Sequence, residues 1–134
     1  MLILDPMESA RKVLETLIES CLAKDGEQAD VVNHAPEDVF RLPLPRDTAA
    51  AFITINSVTD VEAARQFARL YETTPFVVIS DNGDYAVEAF RLNARHYIIR
   101  PVGEVGIREA VSRCRYYVVR RRKRSGDTRP RTCG

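Results

Sequence analysis

The sequence predicts an α/β protein, five βα units built on a parallel sheet, and three observations predict it. Short apolar segments alternate with helix-period segments along the body of the chain, in the order βαβαβαβαβα. The segments LILD (2–5), AAFITI (50–55) and FVVIS (76–80) are nearly all apolar. Such strands are buried on both faces, which calls for a parallel sheet with helices on either side. The 134 residues, 45% hydrophobic and 29% charged, suit one globular domain with a real core.

The elements follow in order. After the first strand, Ala10, Val13, Leu14, Leu17, Ile18, Cys21 and Leu22 recur at spacings of three and four, an amphipathic helix from about Pro6 to Lys24. Pro6 suits its first turn, where a missing N–H costs nothing, and Asp25-Gly26 ends it. ADVVN (29–33) is a second short strand. Pro36, Pro43 and Pro45 leave room only for a short helix around Glu37–Arg41. The third strand, 50–55, leads to a helix capped by Thr59 or Asp60, with Ala64, Phe67, Ala68 and Tyr71 inward. Pro75 opens the fourth strand, 76–80. DNGD (81–84) is a turn into a short helix through Tyr85, Ala89 and Phe90. HYII (96–99) is the fifth strand, and Arg100-Pro101 separates it from a last helix with Ile107, Ala110, Val111, Cys114 and Val118 inward.

Composition excludes several function classes. No apolar run is long enough to span a membrane, and the opening MLILDPME is too short and too acidic for a signal peptide, so a cytoplasmic protein is expected. Cys21, Cys114 and Cys133 show no C-x-x-C spacing, and the first two fall on apolar helix faces as buried free thiols. His34 and His96 have no ligand partners nearby in sequence, which argues against a zinc site. The net charge of +1 is uneven: residues 120–134 carry seven basic groups and one acidic group, a net of +6, leaving −5 on the other 119 residues. A body of 1–119 followed by a basic tail or linker start, 120–134, is the expected organisation. The tail has no aromatic interleaving and no helix-turn-helix pattern.

The stretch FVVISDNGDYAVEAFRLNARHYIIRPVGEVGIREAV (76–111) resembles the second half of a response-regulator receiver domain, most closely the LytR/AlgR type with its YAxEAF…A…YLxKP pattern. Tyr85, Ala86, Glu88, Ala89, Phe90, Ala94, Tyr97, Pro101 and Val102 carry the match, and LILDP with the SAR of the first helix is a weaker likeness to a receiver's opening. The resemblance covers about residues 1–118. It implies the flavodoxin-like, CheY-like (βα)5 three-layer sandwich with sheet order 2-1-3-4-5. It also implies phosphoryl transfer to an Asp at the end of the third strand. Two acids after the first strand would hold Mg2+, and a Ser/Thr and a Lys after the fourth and fifth strands would bind the phosphoryl oxygens.

The sequence departs from that set. Asp5 matches the first acid, and Pro6, which cannot ligate, replaces the second. The nucleophile position falls on Asn56, whose amide cannot form an acyl phosphate. Ser80 fits the hydroxyl position and Arg100 replaces the lysine. The loop after Asn56 is shorter than the family's. A degenerate phosphorylation site is therefore expected, with Asp5 either paired with Arg100 or retaining weak Mg2+ binding, and with no other cofactor. Asp81 is expected as a turn residue; Asp60 or Asp81 would be the acceptor in an alternative reading with a displaced acid.

Tyr97 matches the aromatic position that reports on phosphorylation, although packing at a sheet edge would also explain it. Tyr97, Tyr85 and Phe90 are the expected switch or interface residues. The resemblance implies a non-enzymatic signalling domain that works by contact with a protein partner, with a homodimer through helix 4, strand 5 and helix 5. DNA contact is expected only through an output domain missing from this chain or through the basic tail, which gives a second alternative, a nucleic-acid-binding module.

Overall fold

Strand β1 (Leu2–Leu4) lies inside the sheet, and all three of its residues are apolar and fully buried. In this computed structural model, which describes residues 1–28 and 30–115, β1 pairs with β2 (Val32–His34) on one side and β3 (Ala51–Thr54) on the other. Next come β4 (Phe76–Ser80) and β5 (His96–Ile99), and every pairing is parallel in the order β2-β1-β3-β4-β5. The sequence-derived fold class and sheet order are those of the structure.

Alternation along the strands separates two cores. Leu4, Ile53 and Val78 face helices α2 (Val58–Leu70) and α3 (Ala86–Arg91), with Phe67, Tyr71 and Ala89 filling the layer. Ile3, Phe52, Val77 and Ile79 face helix α1 (Glu8–Lys24) and helix α4 (104–115). The α4 residues Ile107, Ala110, Val111 and Cys114 are buried as expected. Burial pushes the Cys114 thiol up to about 12, and both Cys21 and Cys114 are free.

Several local expectations are corrected. Helix α1 starts at Glu8, after Met7 as N-cap, so Pro6 lies before the helix and not in its first turn. Val13 is 60% exposed; the buried stripe is Leu14, Ile18, Cys21 and Leu22. The short helix between the prolines is a 3-10 helix, Pro36–Phe40, with Pro36 in its first turn where no N–H is needed. Helix α2 is capped by Ser57, one residue ahead of its first turn, and not by Thr59 or Asp60. Ser57 wins because its backbone is extended and its hydroxyl accepts the Asp60 N–H at 3.1 Å. Val118, Cys133, the 119/120 boundary and the basic tail lie outside the described residues.

Candidate functional site

Parallel strands bring their C-terminal ends to one edge, the place where open α/β sheets carry their sites. The register continues Leu4↔Ile53 and Ile79↔Ile98 by one or two residues, so Asp5, Thr54, Asn56, Ser80 and Arg100 gather there.

Asp5 is 1% exposed, and both of its carboxylate oxygens are committed. Oδ1 accepts the Met7 N–H at 2.8 Å. Oδ2 accepts the Thr54 hydroxyl at 2.5 Å and the Arg100 Nη2 at 2.5 Å. Arg100 Nη2 also donates to Thr54 Oγ1 at 3.3 Å, and its Nη1 stands 3.5 Å from the exposed carboxylate of Asp81. A buried carboxylate held this way is a compensated charge, with the hydrogen bonds and counter-charge that make such burial tolerable. Behind the strand end, Arg11 donates to the Asp5 carbonyl at 2.6 Å and to Asn33 Oδ1 at 3.2 Å. Asn33 in turn donates to Glu15 at 2.8 Å, which fixes α1 against the edge strand β2.

Asn56 forms the second half of the site. Its Oδ1 accepts the Ser80 hydroxyl at 2.9 Å and the Asp81 N–H at 2.8 Å. The amide therefore ties the end of β3 to the end of β4. Asp60, only 7% exposed, turns back from the first turn of α2 and accepts the Asn56 N–H at 2.9 Å. With Ser57 accepting the Asp60 N–H, the short SVTD connection is closed by two reciprocal hydrogen bonds, a variant of the capping box.

A divalent cation does not fit these residues. One buried carboxylate, already shared by Thr54, Arg100 and Met7, meets a proline where a second oxygen ligand would be needed. A guanidinium within hydrogen-bonding distance of that carboxylate puts positive charge where a cation would bind. Among the described residues no three His, Cys, Asp or Glu side chains come together as a ligand set.

Of the other sequence candidates, Tyr97 is part-buried and donates its hydroxyl to the Asn82 carbonyl at 2.7 Å, fastening the 81–84 turn to β5. Tyr85 packs partly against the core, and Phe90 is 58% exposed on α3. Thr54 and Arg11 escaped sequence reasoning. Thr54 left one signal, a lone hydroxyl inside an otherwise apolar strand; Arg11 left none, because its target is a backbone carbonyl.

No family model matches the chain. Over 66 residues, 48% of this chain and 27% of the relative, it is 30% identical to the transcriptional regulatory protein LytR of Staphylococcus aureus, so the match spans about a quarter of that protein. Among solved structures it is similar to the response regulatory domain of mrkE from Klebsiella pneumoniae, with 23% identity and a TM-score of 0.66 over 89% of this chain and 97% of that one. The REC domain of AraT, a response regulator from Geobacillus stearothermophilus, gives 17% identity and a TM-score of 0.69 over 90% and 95%. HP1043, an orphan response regulator of H. pylori, gives 24% and 0.60 over 87% and 93%. With the 2-1-3-4-5 sheet and the site at its C-terminal edge, these likenesses show that the chain has the fold of a response-regulator receiver domain.

Proposed function

We propose that this chain is the receiver-like domain of a two-component response regulator that signals by protein–protein contact, without aspartyl phosphorylation and without enzymatic activity of its own. The observation that carries the reading is the state of Asn56: an amide at the end of β3 whose oxygen is already shared between the Ser80 hydroxyl and the Asp81 N–H. Acyl-phosphate formation needs a carboxylate nucleophile and a means of neutralising two approaching anions. Here the buried Asp5 carboxylate is clamped by Arg100, and the Asp60 carboxylate is engaged by the Asn56 N–H. Both observations weigh against a displaced acid as acceptor.

The partner surface we assign is the face of α3, β5 and α4. Val87 and Phe90 of α3, Ile99 of β5 and Val105 of α4 are exposed at 59%, 58%, 52% and 82%, which supports a second copy or another protein covering them. The LytR likeness supports a place in transcription regulation, with any DNA contact made by a further domain or by the basic tail. No described helix is long and apolar enough to cross a membrane, in keeping with a cytoplasmic role.

The test is incubation with acetyl phosphate and Mg2+, read by intact mass and by hydroxylamine-labile label. The expected result is an unchanged mass. A stoichiometric label mapped to Asp60 or Asp81 would overturn the reading.

A further inference from the structure

At the end of the sheet opposite Asp5 and Arg100, a cavity of about 380 Å3 opens between the last turns of α2 and α3 and the start of β4. Four arginines line it, Arg65, Arg69, Arg91 and Arg95, against a single carboxylate, Glu72.

Arginines at helix C-termini have an ordinary use, since cations there complement the last carbonyls. Arg69 and Arg91 do occupy the last turns of α2 and α3. That role is already filled in part by other groups: the Leu70 carbonyl accepts from Arg46, and Asn93, in the left-handed region at φ 69°, returns its N–H to the Phe90 carbonyl. Arg65 is matched by Glu62 at 2.6 Å. Arg69 bonds the neutral Gln66, and among the described residues no ion pair joins a carboxylate to Arg69 or Arg91. Arg69 and Arg91 therefore bring two positive charges without an ion-pair partner to the wall of a concave space.

The rest of the wall is mixed. Ala68, Pro75 and Leu92 give it an apolar side, and Thr74, 6% exposed, brings a hydroxyl. The volume falls in the range of small-molecule sites, about 300–1,000 Å3, and exceeds what a lone phosphate would fill. Guanidinium groups bind phosphate oxygens with their planar fork and stack on aromatic rings with their faces. A ligand that uses both properties and the apolar side is a phosphate ester carrying a planar base.

We propose that this cavity binds a nucleotide-sized phosphate ester, its phosphates held by Arg69 and Arg91 and its base laid on the Ala68–Leu92 side. The site shares no residue with the Asp5–Arg100 corner, so it stands or falls independently of the phosphorylation reading.

Titration calorimetry of the full chain at low salt tests it, with ADP, GDP and inorganic pyrophosphate as probes and Arg69→Gln, Arg91→Gln and the distant surface variant Lys12→Gln for comparison. A nucleotide should bind with an affinity that falls about tenfold in each of R69Q and R91Q, the loss expected for one charge-assisted contact. Lys12→Gln should bind as the parent chain does, and pyrophosphate should bind at least about tenfold more weakly than the nucleotide. Both arginines are surface residues, and an unchanged melting temperature would show that the variants fold. Failure of both nucleotides to bind, equal affinity in the arginine variants, or pyrophosphate binding as tightly as the nucleotide would overturn the proposal. Saturation by a single-stranded oligonucleotide alone would also overturn it, marking the patch as a nucleic-acid surface.

Discussion

Asp5 and Arg100 lie 95 residues apart in the sequence and meet as an ion pair 2.5 Å long, with the carboxylate almost wholly buried and the guanidinium a quarter exposed. The pair joins the end of the inner strand β1 to the end of the edge strand β5, across β3 and β4. It also occupies the place where the receiver resemblance implies a metal.

Breaking that pair from one side should be costly. Arg100→Met leaves the Asp5 carboxylate with only the Thr54 hydroxyl and the Met7 N–H, and should lower stability by about 3 kcal/mol, the low end of the range for orphaning a buried charge because Arg100 retains some solvent contact. The double variant Asp5→Leu/Arg100→Met should recover much of that loss, since no unpaired charge remains. Urea unfolding of the four species of the cycle measures both, and a double variant less stable than Arg100→Met alone would contradict the argument.

Restoring the missing carboxylate should not by itself restore phosphorylation. Asn56→Asp keeps the acceptor for Ser80 and Asp81 and should fold normally, yet acetyl phosphate with Mg2+ should leave its mass unchanged, because Arg100 still holds Asp5 and Pro6 still offers no ligand. The triple variant Pro6→Asp/Asn56→Asp/Arg100→Lys should accept a label. Labelling of Asn56→Asp alone would show that the Asp5–Arg100 pair is no barrier. Asn56→Ala, by contrast, strands two donors and should cost about 1 kcal/mol in a urea titration.

Asp60 is expected to hold the entry to α2 through the Asn56 N–H. Asp60→Ala removes the acceptor of the Asn56 N–H at the start of α2, and should destabilise the protein by about 1–2 kcal/mol. Hydrogen exchange of the Asn56 amide should rise in the same variant. Unchanged exchange at Asn56 would exclude that role.

Acid should weaken the fold through His96. Burial, then the nearby Arg113, hold its imidazole below the ordinary value of 6.5, and these outweigh the opposing pull of Glu109, whose Oε1 lies 3.1 Å away. The unfolded chain therefore binds the proton more readily than the folded one. The stability contribution is present in full above pH 6.5 and is lost as pH falls through the lowered value. Urea midpoints between pH 7.5 and 5 should decline, and His96→Gln should flatten that decline. Asp38, held below 3.8 first by its hydrogen bond to His34, follows the carboxylate rule and loses its contribution only in stronger acid.

The sequence determined the body of this protein because its information is local and periodic. The apolar runs at 2–5, 50–55 and 76–80 are two-faced strands in any context that buries them, and the spacing of Leu14, Ile18, Cys21 and Leu22 marks one helix face. Local capping was harder to read: Ser57, Thr59 and Asp60 are all competent caps, and only the extended backbone at Ser57 selects among them. Asp5, Asn56, Ser80 and Arg100 were legible as a set through the receiver resemblance. Their pairing was not, since the alternatives of ion pair and cation site use the same residues.

Tertiary structure decided that question. Parallel pairing sets Asp5 beside Thr54 and within reach of Arg100, and a buried carboxylate takes the nearest partners able to satisfy it. The arginines of the opposite cavity are likewise distributed over 65–95, and only the convergence of α2, α3 and β4 gives them a common space. Periodicity determined the elements; contacts between residues far apart in the chain determined what stands at the two ends of the sheet.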